Sequence, residues 1–193
     1  MDLEIRGAGN LLGAEQSGNL GSVGYETYME LLSEAVDELR GKQREAVVDP
    51  EIRLGIAARL PEAYVADVQQ RLVLYKRLAS APNQIEADRL RDELLDRFGP
   101  LPKEAENLLA VIRLKIAART LGIAQVLLDG SELVFTAAPT TRVDPAKLHR
   151  LVTRRRSDLR VMPDQRIRAA LRERDPTSLF ARAGEVLAEL GAA

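Results

Sequence analysis

Residues 102–137, PKEAENLLAVIRLKIAARTLGIAQVLLDGSELVFTA, contain the change of period on which the fold turns. Up to Leu121 the apolar residues Ala105, Leu108, Leu109, Ile112, Ile116 and Ala117 recur every three or four positions, which predicts a helix from Pro102 to Leu121. Proline suits the opening turn, and Gly122 supplies the residue that ends the helix in the left-handed manner. From Ile123 to Ala137 the pattern becomes that of strands: Val126-Leu127-Leu128, then Asp129-Gly130-Ser131, then Leu133-Val134-Phe135. Asp-Gly between two apolar runs predicts a hairpin. A long helix leading directly into an antiparallel pair predicts the α+β class.

Towards the N-terminus, a helix is expected from about Asn83 to Phe98, with Ile85, Leu90, Leu94 and Phe98 inward and Gly99-Pro100 as its stop. Before it, Asp67 to Ala79 reads as a helix whose stripe is Val68, Leu72, Tyr75, Leu78 and Ala79, with Arg71, Lys76 and Arg77 off the stripe. Ile52, Leu54 and Ile56 alternate with Arg53 and Gly55, the pattern of a half-buried strand closed by Pro61. The domain is expected to span 49–193, after a linker at 42–48. Towards the C-terminus, Asp144-Pro145 is an N-cap followed by proline, opening a helix to about Arg155. Leu159–Val161 and Ile167–Leu171 read as strands, and Thr177–Leu190 as a closing helix. The expected architecture is a helical region packed on a small, mainly antiparallel sheet, with an N-terminal appendage at 1–41.

That appendage has its own character. Leu3 to Gly24 holds six of the thirteen glycines, a density that marks a shaped loop or hinge. Within it, Arg6 offers a guanidinium fork suited to phosphate or carboxylate, and Gln16 an amide. The Gly, Ser and Asn of its second half also fit a flexible linker. G-A-G-N-L-L-G has three residues where the dinucleotide fingerprint has two, and no GxxxxGK[ST] occurs anywhere, so the chain lacks a nucleotide triphosphatase loop. Tyr25, Tyr28, Met29, Leu31, Leu32, Ala35, Val36 and Leu39 then form an amphipathic helical pattern ended by Arg40 and Gly41.

Charge is nearly balanced, 28 Lys and Arg against 29 Asp and Glu, so polyanion binding must come from a local patch. Such a patch lies between Arg142 and Arg174, where eleven Lys and Arg face four acids. It includes the run Arg154-Arg155-Arg156, which also suits a helix C-terminus, and it has no aromatic residue for base stacking. No cysteine is present and His149 is the single histidine, which removes disulfides, thiolate chemistry and an imidazole metal cluster. No apolar run reaches the ~20 residues of a membrane span, and the start is not that of a signal peptide, so a cytoplasmic location is expected.

L-E-I-R-G-A-G-N-L-L-G-x-E-Q-S-G resembles the translocation motif shared by RecG-like helicases and bacterial transcription-repair coupling factors. The YMELLSEAV, RLVLYKRLAS and ELLDRFGPLP segments that follow are similar to the C-terminal part of the coupling factors and not to RecG. The resemblance implies that the chain is a C-terminal fragment of an ATP-dependent double-stranded DNA translocase that displaces stalled RNA polymerase and recruits nucleotide excision repair through UvrA. Arg6 and Gln16 would couple hydrolysis to translocation. Residues 49–193 would be a regulatory, autoinhibitory domain without catalysis or cofactor of its own, ATP and Mg belonging to the parent's motor lobes. Glu93 and Asp96, three apart on one helix face, would clamp the parent's UvrB-like N-terminal module, masking the UvrA-binding surface; periodicity alone equally allows a solvated acidic face. The alternative reading is a stand-alone nucleic-acid-binding module using the basic segment 142–174. Helix 25–39, separated from a motor, would also support a homodimer.

Overall fold

The computed structural model describes residues 48–164 and 166–191. The chain divides between Glu45 and Ala46, and the described residues belong to the second unit. Arg6, Gln16, the glycine-rich motif, the expected helix 25–39 and most of the linker lie outside the described residues.

The described chain runs β1 (Glu51–Arg53), α1 (Val68–Ala79), α2 (Gln84–Phe98), α3 (Lys103–Leu121), β2 (Ile123–Asp129), β3 (Glu132–Ala137), α4 (Pro145–Arg154), β4 (Leu159–Val161), β5 (Ile167–Ala170) and α5 (Pro176–Gly191). The five strands form one sheet in the order β1-β2-β3-β5-β4. β1 runs parallel to β2, and the remaining pairs are antiparallel, so the α+β reading holds. The sheet is mixed because β1 returns only after three helices, and parallel neighbours need such a crossover.

Local signals set the helix ends. Asp67 accepts from the Gln70 amide, Asn83 from that of Glu86 and Asp144 from that of Ala146, each at the start of a helix. α3 ends on Gly122 at φ 67°, with its amide bonded back to the last turn. Glycine is required there: a Cβ would lie 2.7 Å from Cα of Thr141. That crowding follows from the Gly122 carbonyl accepting from Ala138 and the Leu121 carbonyl from Arg142, which draw the turn after β3 onto the end of α3.

Two apolar cores share α3. One lies over the sheet and includes Val126, Leu133, Phe135, Ile167, Leu179 and Val186, with Leu114 and Ala118 from α3. The other gathers Leu74, Leu78, Leu90 and Leu94 from α1 and α2, with Leu108, Leu109, Ile112 and Ile116 from α3. A helix buried on two sides reads as apolar almost all round.

Two expectations about helix faces are corrected. Val68 and Leu72 are 55% and 57% exposed and Ala79 is exposed, while Leu74 and Leu78 are the buried pair of α1. Arg71 takes an inward position instead, its guanidinium donating to the carbonyls of Val65 and Ala66. In α2, Leu90 and Leu94 face inward as expected, but Ile85 is 67% exposed and Ala87 takes its place. β1 is also shorter than the Ile52 to Ile56 alternation suggested, because Gly55 at φ 67° turns the chain out of the sheet.

Candidate functional site

The acidic pair sits at the C-terminal end of α2, where Asn83 starts the helix and Gly99 at φ 82° stops it. Tyr64 fixes that end. Its hydroxyl lies 2.9 Å from the carbonyl oxygens of both Leu94 and Gly99, and its ring packs against Phe98 at 5.7 Å between centroids. Arg97 lies over the Phe98 ring, 4.9 Å from its centre.

The two acids have different surroundings. Glu93 is partly covered and turned towards α1, where Arg77 donates to it at 2.7 and 2.9 Å, and Arg97 adds a bond of 2.7 Å one turn along α2. These guanidinium hydrogen bonds, that of Arg77 foremost, hold the Glu93 carboxyl below the usual carboxylate range. Arg97 also donates to Gln70, so a polar seam runs between α1 and α2. Asp96 is exposed and enters no ion pair among the described residues. Beside it Leu95 is 41% exposed, and Asp92 is exposed and engaged by Arg91. Glu93 therefore ties two helices of its own domain together, whereas Asp96 faces outward. The Glu93–Arg97 contact was legible as an (i, i+4) pair. Arg77 was missed, since nothing in the sequence fixes the rotation of α1 against α2.

The basic segment is sorted by the fold. Arg155 bonds Asp158, Glu185 and Glu189 at 2.7–2.8 Å, which raises its pKa, the Asp158 bond leading. The middle member of the arginine run thus fastens α4's end to α5 rather than resting on helix carbonyls alone. Arg182 bonds the same Asp158 and Glu185. Arg160 and Arg168 meet Glu132, Arg168 also reaches Asp129, and Arg166 pairs with Asp164. A cleft of about 870 Å³ opens beside α5, lined in part by Arg155, Asp158, Arg182 and Glu185. Its paired guanidinium groups already have carboxylate partners. His149 is exposed.

Among the described residues no group of three or more His, Cys, Asp or Glu could hold a metal ion, and no helix is long and apolar enough to cross a membrane. The arrangement offers binding surface and ion pairing.

Residues 54–148 match the family model described as TRCF domain. The chain is 39% identical over 190 residues, 98% of its length, to the transcription-repair-coupling factor of Myxococcus xanthus. Over 76% of its length it is 44% identical to that of Escherichia coli, and over 78% it is 38% identical to that of Bacillus subtilis. It spans only 16% of the Myxococcus protein and 13% of each of the other two. A crystal structure of the C-terminal domain of transcription-repair coupling factor shares the fold, with a TM-score of 0.62 and 20% identity, covering 74% of this chain and 93% of that one. Sequence over nearly the whole chain and fold over most of it agree, and the chain belongs to the transcription-repair coupling factor family.

Proposed function

We propose that the chain is the C-terminal part of a transcription-repair coupling factor and that residues 49–193 form its regulatory domain, following a motor tail at 1–41 and a linker at 42–48. The domain acts by binding. It holds the UvrB-like N-terminal module of the same protein and masks the surface that module offers to UvrA. The parent is a cytoplasmic double-stranded DNA translocase that displaces stalled RNA polymerase. ATP and Mg are bound by its motor lobes, and Arg6 and Gln16 couple them to movement. The observation that carries the clamp is Asp96: an outward carboxylate beside an exposed leucine, at the fixed end of a helix, suits an arginine-bearing surface. Glu93 supports that end by joining α2 to α1.

Titration calorimetry of the full chain against the purified N-terminal module tests this. Asp96→Arg is expected to weaken binding tenfold or more, about 1.4 kcal/mol, because two like charges then face each other. Equal affinity with and without the reversal refutes the clamp.

A further inference from the structure

The eleven cations between Arg142 and Arg174 are not equivalent once folded. Arg155, Arg160, Arg166 and Arg168 are engaged by carboxylates at 2.7–3.3 Å. Lys147 and Arg150 enter no ion pair among the described residues. Arg154 is 72% exposed, and its contact with Glu189 is a long 3.6 Å to a carboxylate that Arg155 already holds at 2.7 Å. All three lie on α4, at positions i, i+3 and i+7, so they form one stripe along the helix, with Lys147 half-buried at its edge and Arg150 and Arg154 exposed. The stripe borders the apolar side of α4, where Leu151 is buried and Leu148 and Val152 pack on the sheet core. Exposed Arg156 continues the positive charge past the helix end. Between residues 142 and 157 the single carboxylate is Asp144, and its side chain caps the helix by accepting from Ala146.

We infer that the outward face of α4, carrying Lys147, Arg150 and Arg154, docks the phosphate backbone of duplex nucleic acid. The described large apolar side chains left exposed lie on α1, α2 and β4, none on α4, so this face lacks the anchor that a protein interface centres on. No aromatic residue occurs from 142 to 174, which disfavours single strands read by stacking. What remains is ion contact with a regular, dense array of phosphates, independent of base sequence. The surface lies on a different helix from Asp96, and it does not depend on the clamp.

Fluorescence anisotropy of the full chain with a labelled duplex of about 30 base pairs and arbitrary sequence, over a salt series, tests the inference. The triple substitution Lys147→Ala, Arg150→Ala, Arg154→Ala is expected to lower affinity about tenfold or more at low salt and to reduce the slope of log K against log salt by about 2.7, near 0.9 for each lost phosphate contact. A control with the same change in net charge, Arg53→Ala, Arg89→Ala, Lys103→Ala, removes cations paired with Glu51, Glu86 and Glu106 and should bind as the parent chain does. Thermal melts of both variants verify the fold. Equal binding by the α4 variant and the parent chain overturns the inference, as does an equal loss in the control. Tighter binding to polyglutamate of matched charge assigns the face to an acidic protein and also overturns it.

Discussion

Arg77 of α1 and Glu93 of α2 are joined by two hydrogen bonds, of 2.7 and 2.9 Å, across the groove between their helices. The acid that a partner surface would seek first is therefore already neutralised at home, and its neighbour Asp96 is left to face outward. Glu93→Ala should lower stability by about 0.5–1 kcal/mol, the range for a partly exposed ion pair. Asp96→Arg should change it by less than about 0.5 kcal/mol, as exposed substitutions do. Urea midpoints at neutral pH check both, and equal midpoints for Glu93→Ala and the parent chain would show that the pair contributes nothing.

The Arg155 hub predicts an acid-sensitive link between α4 and α5. Hydrogen bonds from Arg155 lower the pKa of Asp158 and of Glu185 from ordinary values of 3.8 and 4.5. A depressed carboxylate pKa adds stability that is complete above the unfolded value and is lost as pH falls through the folded one. Arg155→Ala should cost about 1–3 kcal/mol at pH 7 by leaving carboxylates short of a partner, and the gap from the parent chain should shrink as pH drops below 4.5 and 3.8. Arg156→Ala should be close to neutral. A gap that stays constant down to acid unfolding would remove the hub from the stability account.

Gly122 and Gly55 share a φ of 67° but differ in their surroundings. An added Cβ at Gly55 meets nothing within 4 Å, whereas at Gly122 it meets Thr141. Gly55→Ala should cost about 1–2 kcal/mol, the left-handed backbone penalty. Gly122→Ala should cost more, since Thr141 must also move. Thermal melts that rank the two variants in the opposite order would contradict the close approach.

Tyr64→Phe removes the hydroxyl that faces the carbonyls of Leu94 and Gly99 while leaving the ring on Phe98. The loss should be about 1 kcal/mol in stability. Binding of the N-terminal module should also weaken, because the turn that orients Asp96 loses its tie. Unchanged stability in chemical denaturation would mean that water replaces the hydroxyl without cost.

Short-range chemistry made much of the fold readable. Asp67, Asn83 and Asp144 mark helix starts, Gly99 and Gly122 mark ends, and Asp129-Gly130 marks the hairpin, each acting within four residues. What stayed hidden depends on distant partners. Val68 and Leu72 are as apolar as Leu74 and Leu78, and only packing against α2 and α3 decides which pair turns inward. Arg155 finds Glu185 and Glu189 at separations of 30 and 34 residues, so its run looked like an ordinary helix end. Glu93 and Asp96 could be picked out together, but their division into an internal tie and an outward charge required the rotation of α1.

The parallel pairing of β1 with β2 has a consequence in time. Its three residues meet Gln125 to Leu127 only after the chain has closed around α1, α2 and α3, and the side-chain bond between Gln125 and Glu51 spans 74 positions. Closure over such a length must precede any reward from the contact, so this edge forms late and, with so few bonds, opens early. Its amides should exchange with solvent well before those of β2 and β3. β1 also sits at the edge of the sheet with Ile52 packed on the sheet core, so its release uncovers one flank of that core while the core of α1, α2 and α3 stays shut.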